Sequence, residues 1–203
     1  MDNTTNNTAF SILELAIVSS GVTIEQTLSN SVNLAQKAEQ LGYSRLWLAE
    51  HHNMVHVASV ATSVLIGHIA ANTKSIKVGS GGIMLPNHSP LIVAEQFGTL
   101  GRLFPNRIDL GLGRAPGTDQ LTAHAIRSDR MKTVQNFPGE VEQIQKYFDD
   151  DNEWSEVRAV VAEGVNVPLY ILGSSLDSAH LAAKMGLPYA FASHFATGLL
   201  HEA

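Results

Sequence analysis

Short apolar runs alternate with longer stretches of helical spacing along most of this chain. Residues 11–18 (SILELAIV) are apolar and rich in β-formers, and end in the Ser19-Ser20-Gly21 turn. Residues 27–41 place Leu28, Val32, Leu34, Ala35, Ala38 and Leu41 at helical spacing, and Gly42 closes that helix. Residues 44–49 predict a second strand, 59–71 a strongly apolar helix and 76–79 a third short strand. Gly81, Gly82, Pro86 and Pro90 then predict a loop, with Pro90 suited to the first turn of a helix running to about Leu103. Ile108–Gly113 is a fourth strand, and residues 169–172, 178–185 and 189–192 repeat the strand–helix–strand beat. Six strands with helices between them predict an α/β fold with a parallel sheet and right-handed crossovers. Residues 114–167 break the rhythm: only 139–148 reads as a helix, and 157–162 is a candidate extra strand. A long irregular insertion of this kind is usually functional, often a lid, or else disordered.

Composition narrows the classes. At 203 residues and 44% hydrophobic content the chain supports one domain, expected over residues 10–203 behind a polar, Asn/Thr-rich tail of residues 1–9. Its formal net charge is −6, and Asp149, Asp150, Asp151, Glu153 and Glu156 crowd into one stretch. Nucleic-acid binding needs a basic face, so that class is set aside. The absence of cysteine removes disulfides, thiolate catalysis and zinc–thiolate sites. No apolar run approaches the ~18 residues of a membrane span and the first residues lack a signal-peptide pattern, so a cytoplasmic location is expected.

The candidate chemistry concentrates in residues 46–54 (LWLAEHHNM). A short apolar run that leads directly into Glu50, His51 and His52 reads as a strand buried on both faces, with titratable groups at its carboxyl end. Barrel enzymes build their sites there, and imidazole is suited to proton transfer near neutral pH. Glu50 and His52 could equally cap the next helix or bind each other. A metal site from His51, His52 and His56 fails because adjacent residues in extended chain point to opposite faces, so no metal is expected. Gly111, Gly113 and Gly117 are spaced G-x-G-x-x-x-G, a poor dinucleotide fingerprint. In a barrel the segments after each strand share one face, which brings together Glu50-His51-His52, Gly81-Gly82, Arg114 and Gly173-Ser174-Ser175. That convergence favours a barrel.

Five ordered blocks carry a family resemblance: W-L-A-E-H-H (47–52), G-G-I-M-L-P-N-H-S-P (81–90), G-R-L-F-P-N-R-I-D-L-G-L-G-R (101–114), P-L-Y-I-L-G-S-S (168–175) and G-L-P-Y-A-F-A-S-H-F (186–195). Over about residues 10–195 the chain resembles the bacterial luciferase-like flavin-dependent monooxygenases, which are (β/α)8 TIM-barrel enzymes. The resemblance implies oxygenation of a small organic substrate by reduced FMN (FMNH2) and O2, with a separate flavin reductase as partner. It implies that Arg114 holds the flavin phosphate, a task suited to a fixed fork of donors, together with Gly173, Ser174, Ser175 and Ser178 at a helix start. Gly81-Gly82 matches the place where the family often carries a non-proline cis peptide against the flavin ring. His51 matches the catalytic histidine, with Glu50 beside it as an orienter rather than a base. His52 reads as structural, and His88, His194 and His201 are further pocket candidates.

Two departures qualify the match. The family barrel has eight strands and this chain carries about six, which leaves two sheet edges open and predicts a homo-oligomer or aggregation rather than a stable monomer. Ala115, Pro116 and Gly117 also follow Arg114 where the family often has a bulky residue. A non-catalytic flavin-binding protein of the same fold is therefore the alternative, and a deazaflavin-using relative a third.

Overall fold

The computed structural model describes residues 8–153, 155–194 and 196–203; residues 1–7, which make up most of the expected tail, lie outside the described residues. Six strands form one all-parallel sheet in the order β1 to β6: β1 (Ser11–Glu14), β2 (Arg45–Leu48), β3 (Lys77–Met84), β4 (Ile108–Gly113), β5 (Leu169–Gly173) and β6 (Tyr189–Phe191). The connections carry α1 (Ile24–Gln40), α2 (Thr62–Ala71), α3 (Pro90–Leu103), α4 (Gln120–Ile126), α5 (Arg130–Gln135), α6 (Phe137–Phe148) and α7 (Leu176–Met185). Sequential parallel strands joined by helices make six-eighths of a TIM-type barrel, with helices on the convex face and an open concave face.

The core lies between the sheet and its helices. Leu46, Leu48, Val78, Ile108, Leu110, Leu112 and Ile171 point outward from the strands into Ile66, Ile69, Val93, Phe97, Val141 and Ile144 of the helices. Strand β2 is thus fully buried on its convex side only, since Arg45 and Trp47 on the other side are half-buried. Inside the curve the Trp47 indole Nε1 donates to Asp109 Oδ2 at 3.1 Å, Arg45 Nε lies 3.4 Å from the same oxygen, and Tyr170 meets Trp47 edge-on at 5.0 Å. Asp109 is fully buried, so this pair forms a polar layer at the bottom of the concave face.

Helix boundaries follow local chemistry. Thr23 caps α1 by accepting from the Gln26 N–H, and Gly42 (φ +79°) turns the chain out of it. Pro90 opens α3 as expected. Other expectations need correction. Strand β1 stops at Glu14 because Ala16 adopts a positive φ of 51° and Ile17 makes an isolated antiparallel bridge to Val57. Gly81 and Gly82 lie within β3, not in a loop. The insertion holds three helices, not one, and residues 157–162 form no strand. Val157 and Val160 are exposed there, whereas Ala159 and Ala162 are fully buried on the α3 side. A Cβ on Gly98 of α3 would come 2.5 Å from Ala162 Cα, so the small residues serve helix–turn packing and not a β ladder.

Candidate active site

Parallel strands put the segments after β2, β3, β4 and β5 at one end of the sheet, and all the expected site residues lie there or at the adjoining end of β3. Glu50 follows β2 by two residues and is 1% exposed. Its Oε2 accepts from the Met84 N–H (2.9 Å), and its Oε1 from His52 Nε2 (2.8 Å) and Asn87 Nδ2 (3.2 Å). His88 Nε2 reaches both oxygens, at 2.9 and 3.0 Å. Burial pushes this carboxyl upward, but His88, His52 and the Met84 amide outweigh it and hold Glu50 below the ordinary value. Glu50 is therefore ionised at neutral pH, and both imidazoles present Nε2–H to it. Four donors surround the carboxylate, an arrangement for orienting neighbours and a poor one for taking a proton from a ligand.

His51 differs from its neighbours. Its backbone N–H donates to the Ser59 carbonyl (3.0 Å), while the hydroxyls of Ser59 and Thr62 donate to the carbonyl of Ala49. These bonds fix the turn from β2 toward α2. The half-buried ring of His51 has a buried Nδ1 with no hydrogen-bond partner among the described residues. Burial lowers its pKa, the Glu50 charge opposes this, and His52 adds to the lowering. The imidazole is thus neutral at pH 7, with one ring nitrogen uncommitted.

The remaining expected residues occupy three places. The Gly81–Gly82 peptide is cis, in β3. A Cβ on Gly81 would lie 2.9 Å from Leu13 Cδ1 and 3.0 Å from Trp47 Cβ, and one on Gly82 would lie 2.8 Å from the Gly111 carbonyl oxygen. The Gly111 backbone therefore already demands glycine at position 82, whereas at Gly81 the nearest atoms belong to side chains. Arg114 is exposed, immediately beyond β4. After β5, a Cβ on Gly173 would collide with the Ser178 hydroxyl, Ser175 caps α7, and Ser178 Oγ donates to the Ser175 carbonyl (2.8 Å) and lies 2.9 Å from Tyr189 Oη. The Ser178 hydroxyl is thus turned inward and its N–H donates to the Ser175 cap, while the Leu176 and Asp177 amides and the Ser174 hydroxyl remain as donors at the helix start.

Of the additional histidines, His88 joins the Glu50 cluster, whereas His194 and His201 are exposed beyond β6. Asn87, only 7% exposed, was not legible as a site residue. Its one signal is its place beside His88, just ahead of the proline that opens α3. Among the described residues no group of three or more His, Asp or Glu could hold a metal ion.

These residues fit a flavin mononucleotide. Guanidinium, hydroxyl and helix-start amides supply donors for a phosphate, and the half-buried His51 ring stands at the same end of the sheet. Comparison with known proteins agrees on the family. The family model described as luciferase-like monooxygenase matches residues 8–202. A luciferase-like monooxygenase of Escherichia coli K12 is 55% identical over 195 residues, 96% of this chain and 58% of the relative. The crystal structure of apo-MsnO8 superposes with a TM-score of 0.90 at 40% identity, covering 96% of this chain and 58% of that one. The oxygenating constituent of 3,6-diketocamphane monooxygenase from Pseudomonas putida, solved with FMN, shares the fold with a TM-score of 0.74 at 17% identity, over 89% of this chain and 56% of that one. The chain spans somewhat under three-fifths of the length of the relatives it matches. On the extent of these matches, the chain belongs to the luciferase-like monooxygenase family.

Proposed function

We propose that this chain carries the reduced-FMN site of a monooxygenase that uses O2 to oxygenate a small organic substrate, with FMNH2 supplied by a separate flavin reductase in the cytoplasm. The observation that carries this reading is His51: a neutral imidazole with an uncommitted buried nitrogen, beside an ionised carboxylate that other donors hold fixed. Bound reduced flavin would supply the electrons that activate oxygen. Arg114, the Gly173-Ser174-Ser175 turn and the α7 start bind its phosphate, with Ser178 bracing that turn from behind. Gly81 and Gly82 present bare backbone toward its ring. His51 holds or moves a proton at Nδ1, and Glu50 sets the position of the loop that carries it. The FMN complex of the Pseudomonas putida neighbour supports the choice of cofactor.

Among the described residues β1 and β6 each pair with a single strand, and Leu13 on the concave side is 44% exposed. A second reading, a flavin-binding protein of the same fold without turnover, is separated from the first by whether bound reduced flavin reacts with oxygen. The open edges favour association between copies of this 203-residue chain, which sedimentation over a wide concentration range tests: a stable monomer at every concentration would exclude it.

Titration with FMN and with riboflavin tests the phosphate site. FMN should bind more tightly, and Arg114→Ala should weaken it roughly ten- to hundredfold, as expected for loss of a charge-assisted hydrogen bond. Equal affinities for FMN and riboflavin would overturn the assignment.

A further inference from the structure

Residues 114–129, between β4 and α5, bury only one side chain, that of Ala123; Leu121 is 86% exposed. Apolar burial therefore contributes little to holding this segment in place. What holds it is a set of polar contacts to the residues around Glu50. The Pro116 carbonyl accepts from Asn87 Nδ2 (3.0 Å), the same amide that donates to Glu50. The Gly117 carbonyl accepts from the His52 N–H (3.0 Å), and Thr118 Oγ1 donates to the His52 carbonyl (2.9 Å). Asn53 Nδ2 donates to Thr122 Oγ1 (2.9 Å), and Arg127 Nη1 donates to the His88 carbonyl. The fit is close, since a Cβ on Gly117 (φ +64°) would lie 2.5 Å from the Glu50 carbonyl oxygen.

Both flanks are anchored differently. Strand β4 is wholly buried, and beyond the segment Thr133 Oγ1 donates to the Pro86 carbonyl (3.0 Å) while Phe137 sits in the core at 2% exposure. A segment with firm ends, an almost purely polar attachment and a positive-φ glycine near its start can open without unfolding its neighbours.

We infer that residues 114–129 are a lid over the His51 end of the sheet, and that Asn87 and His88 are its clasp. Asn87 spans Glu50 and the lid with one side-chain amide, which donates to both Glu50 and the Pro116 carbonyl, while His88 binds Glu50 with its ring and Arg127 with its backbone carbonyl. Ordering of Glu50 and closure of the lid are thereby one event. This concerns how the site opens, whichever ligand it takes, and so stands apart from the flavin reading.

Hydrogen exchange of the unliganded 203-residue protein, followed by mass spectrometry, tests it. In the wild type, amides of 118–127 should exchange far faster than those of β3 and β4. Asn87→Ala and His88→Ala should each speed exchange of 118–127 roughly tenfold, the effect of one hydrogen bond, with β3 and β4 unchanged. His88→Gln, which keeps a donor near the position of Nε2, should stay near wild type. Arg127→Ala, which lies outside the Glu50 cluster, should also speed lid exchange and serves if the cluster variants fold poorly. Exchange of 118–127 at the β4 rate in the wild type, or lid exchange unchanged in Asn87→Ala, His88→Ala and Arg127→Ala, would overturn the inference.

Discussion

The two ends of the parallel sheet both carry partly or wholly buried charges, and they use them in opposite ways. At the amino end, Arg107 donates to the carbonyls of Ala70, Thr73 and Ile76 and to Thr73 Oγ1, at 2.7–3.2 Å. Glu39 of α1 accepts from the N–H groups of Lys74, Ser75 and Ile76 and from the Ser75 hydroxyl. One cation and one anion thus grip the same turn between α2 and β3, and their partners are backbone groups and hydroxyls that do not titrate. At the carboxyl end, Glu50 is bound by two imidazoles, the Asn87 amide and the Met84 N–H, and His51 keeps a buried nitrogen unpaired among the described residues. The Arg107–Glu39 turn is a stabilising device whose charges are saturated by fixed partners, whereas the His51 end keeps hydrogen-bonding capacity in reserve where barrel enzymes build their chemistry.

Substitutions should separate the two ends. The largest effect is expected from Glu50→Ala, which removes the acceptor for Met84, Asn87, His52 and His88 at once. Denaturant titration should show a loss of roughly 2–4 kcal/mol, the cost of stranding several buried donors, and flavin-dependent activity should fall with it. Arg107→Ala should cost about 1–3 kcal/mol by the same measurement, but leave FMN affinity of the folded protein unchanged. A change in FMN affinity there would break the division between the ends.

Glu39→Gln should have the smallest effect, and one that depends on pH. Partial burial raises the Glu39 pKa, but the amides of Ser75, Ile76 and Lys74 and the Ser75 hydroxyl bring it from the ordinary 4.5 to about 2. With the folded value depressed, the unfolded chain binds more protons between these limits. The contribution of Glu39 is therefore complete above about pH 4.5 and lost as pH falls toward about 2. Wild-type stability should lose its excess over the Gln variant across that window. A constant difference from pH 7 to pH 2 would contradict the assignment.

The same contrast shows what the sequence could carry. Local signals were legible: the apolar spacing of α3, the β4 run, and the passage from Leu46 through Trp47 and Leu48 into Glu50-His51-His52. Long-range partners were not. Gly81 and Gly82 read as loop punctuation because a sequence does not show that Leu13, Trp47 and Gly111 crowd against that point of β3. Residues 157–162 mimic a strand by their valines, yet Ala162 answers to Gly98 on a helix far away in the chain and Ala159 is buried in one cluster with Ala94 of that helix. Asn87 belongs to no periodic pattern, and its role exists only once β2, β3 and β4 lie side by side. The insertion was recognisable as a break in rhythm, but its α4 and α5 are short helices with weak apolar faces, which periodicity detects poorly.

The most direct test of the division is His51→Phe, measured for both stability and chemistry. Phenylalanine removes the unpaired buried Nδ1, which costs stability while it stays unsatisfied, and it removes the His51 imidazole assigned to proton transfer. The expected result is a thermal midpoint at or above wild type, FMN affinity near wild type, and an oxygen-dependent turnover of reduced FMN with substrate lower by roughly 10²–10⁴-fold. A variant that loses stability while keeping its reaction with oxygen would show that His51 is packing, and would contradict the assignment of this end of the sheet as the active site.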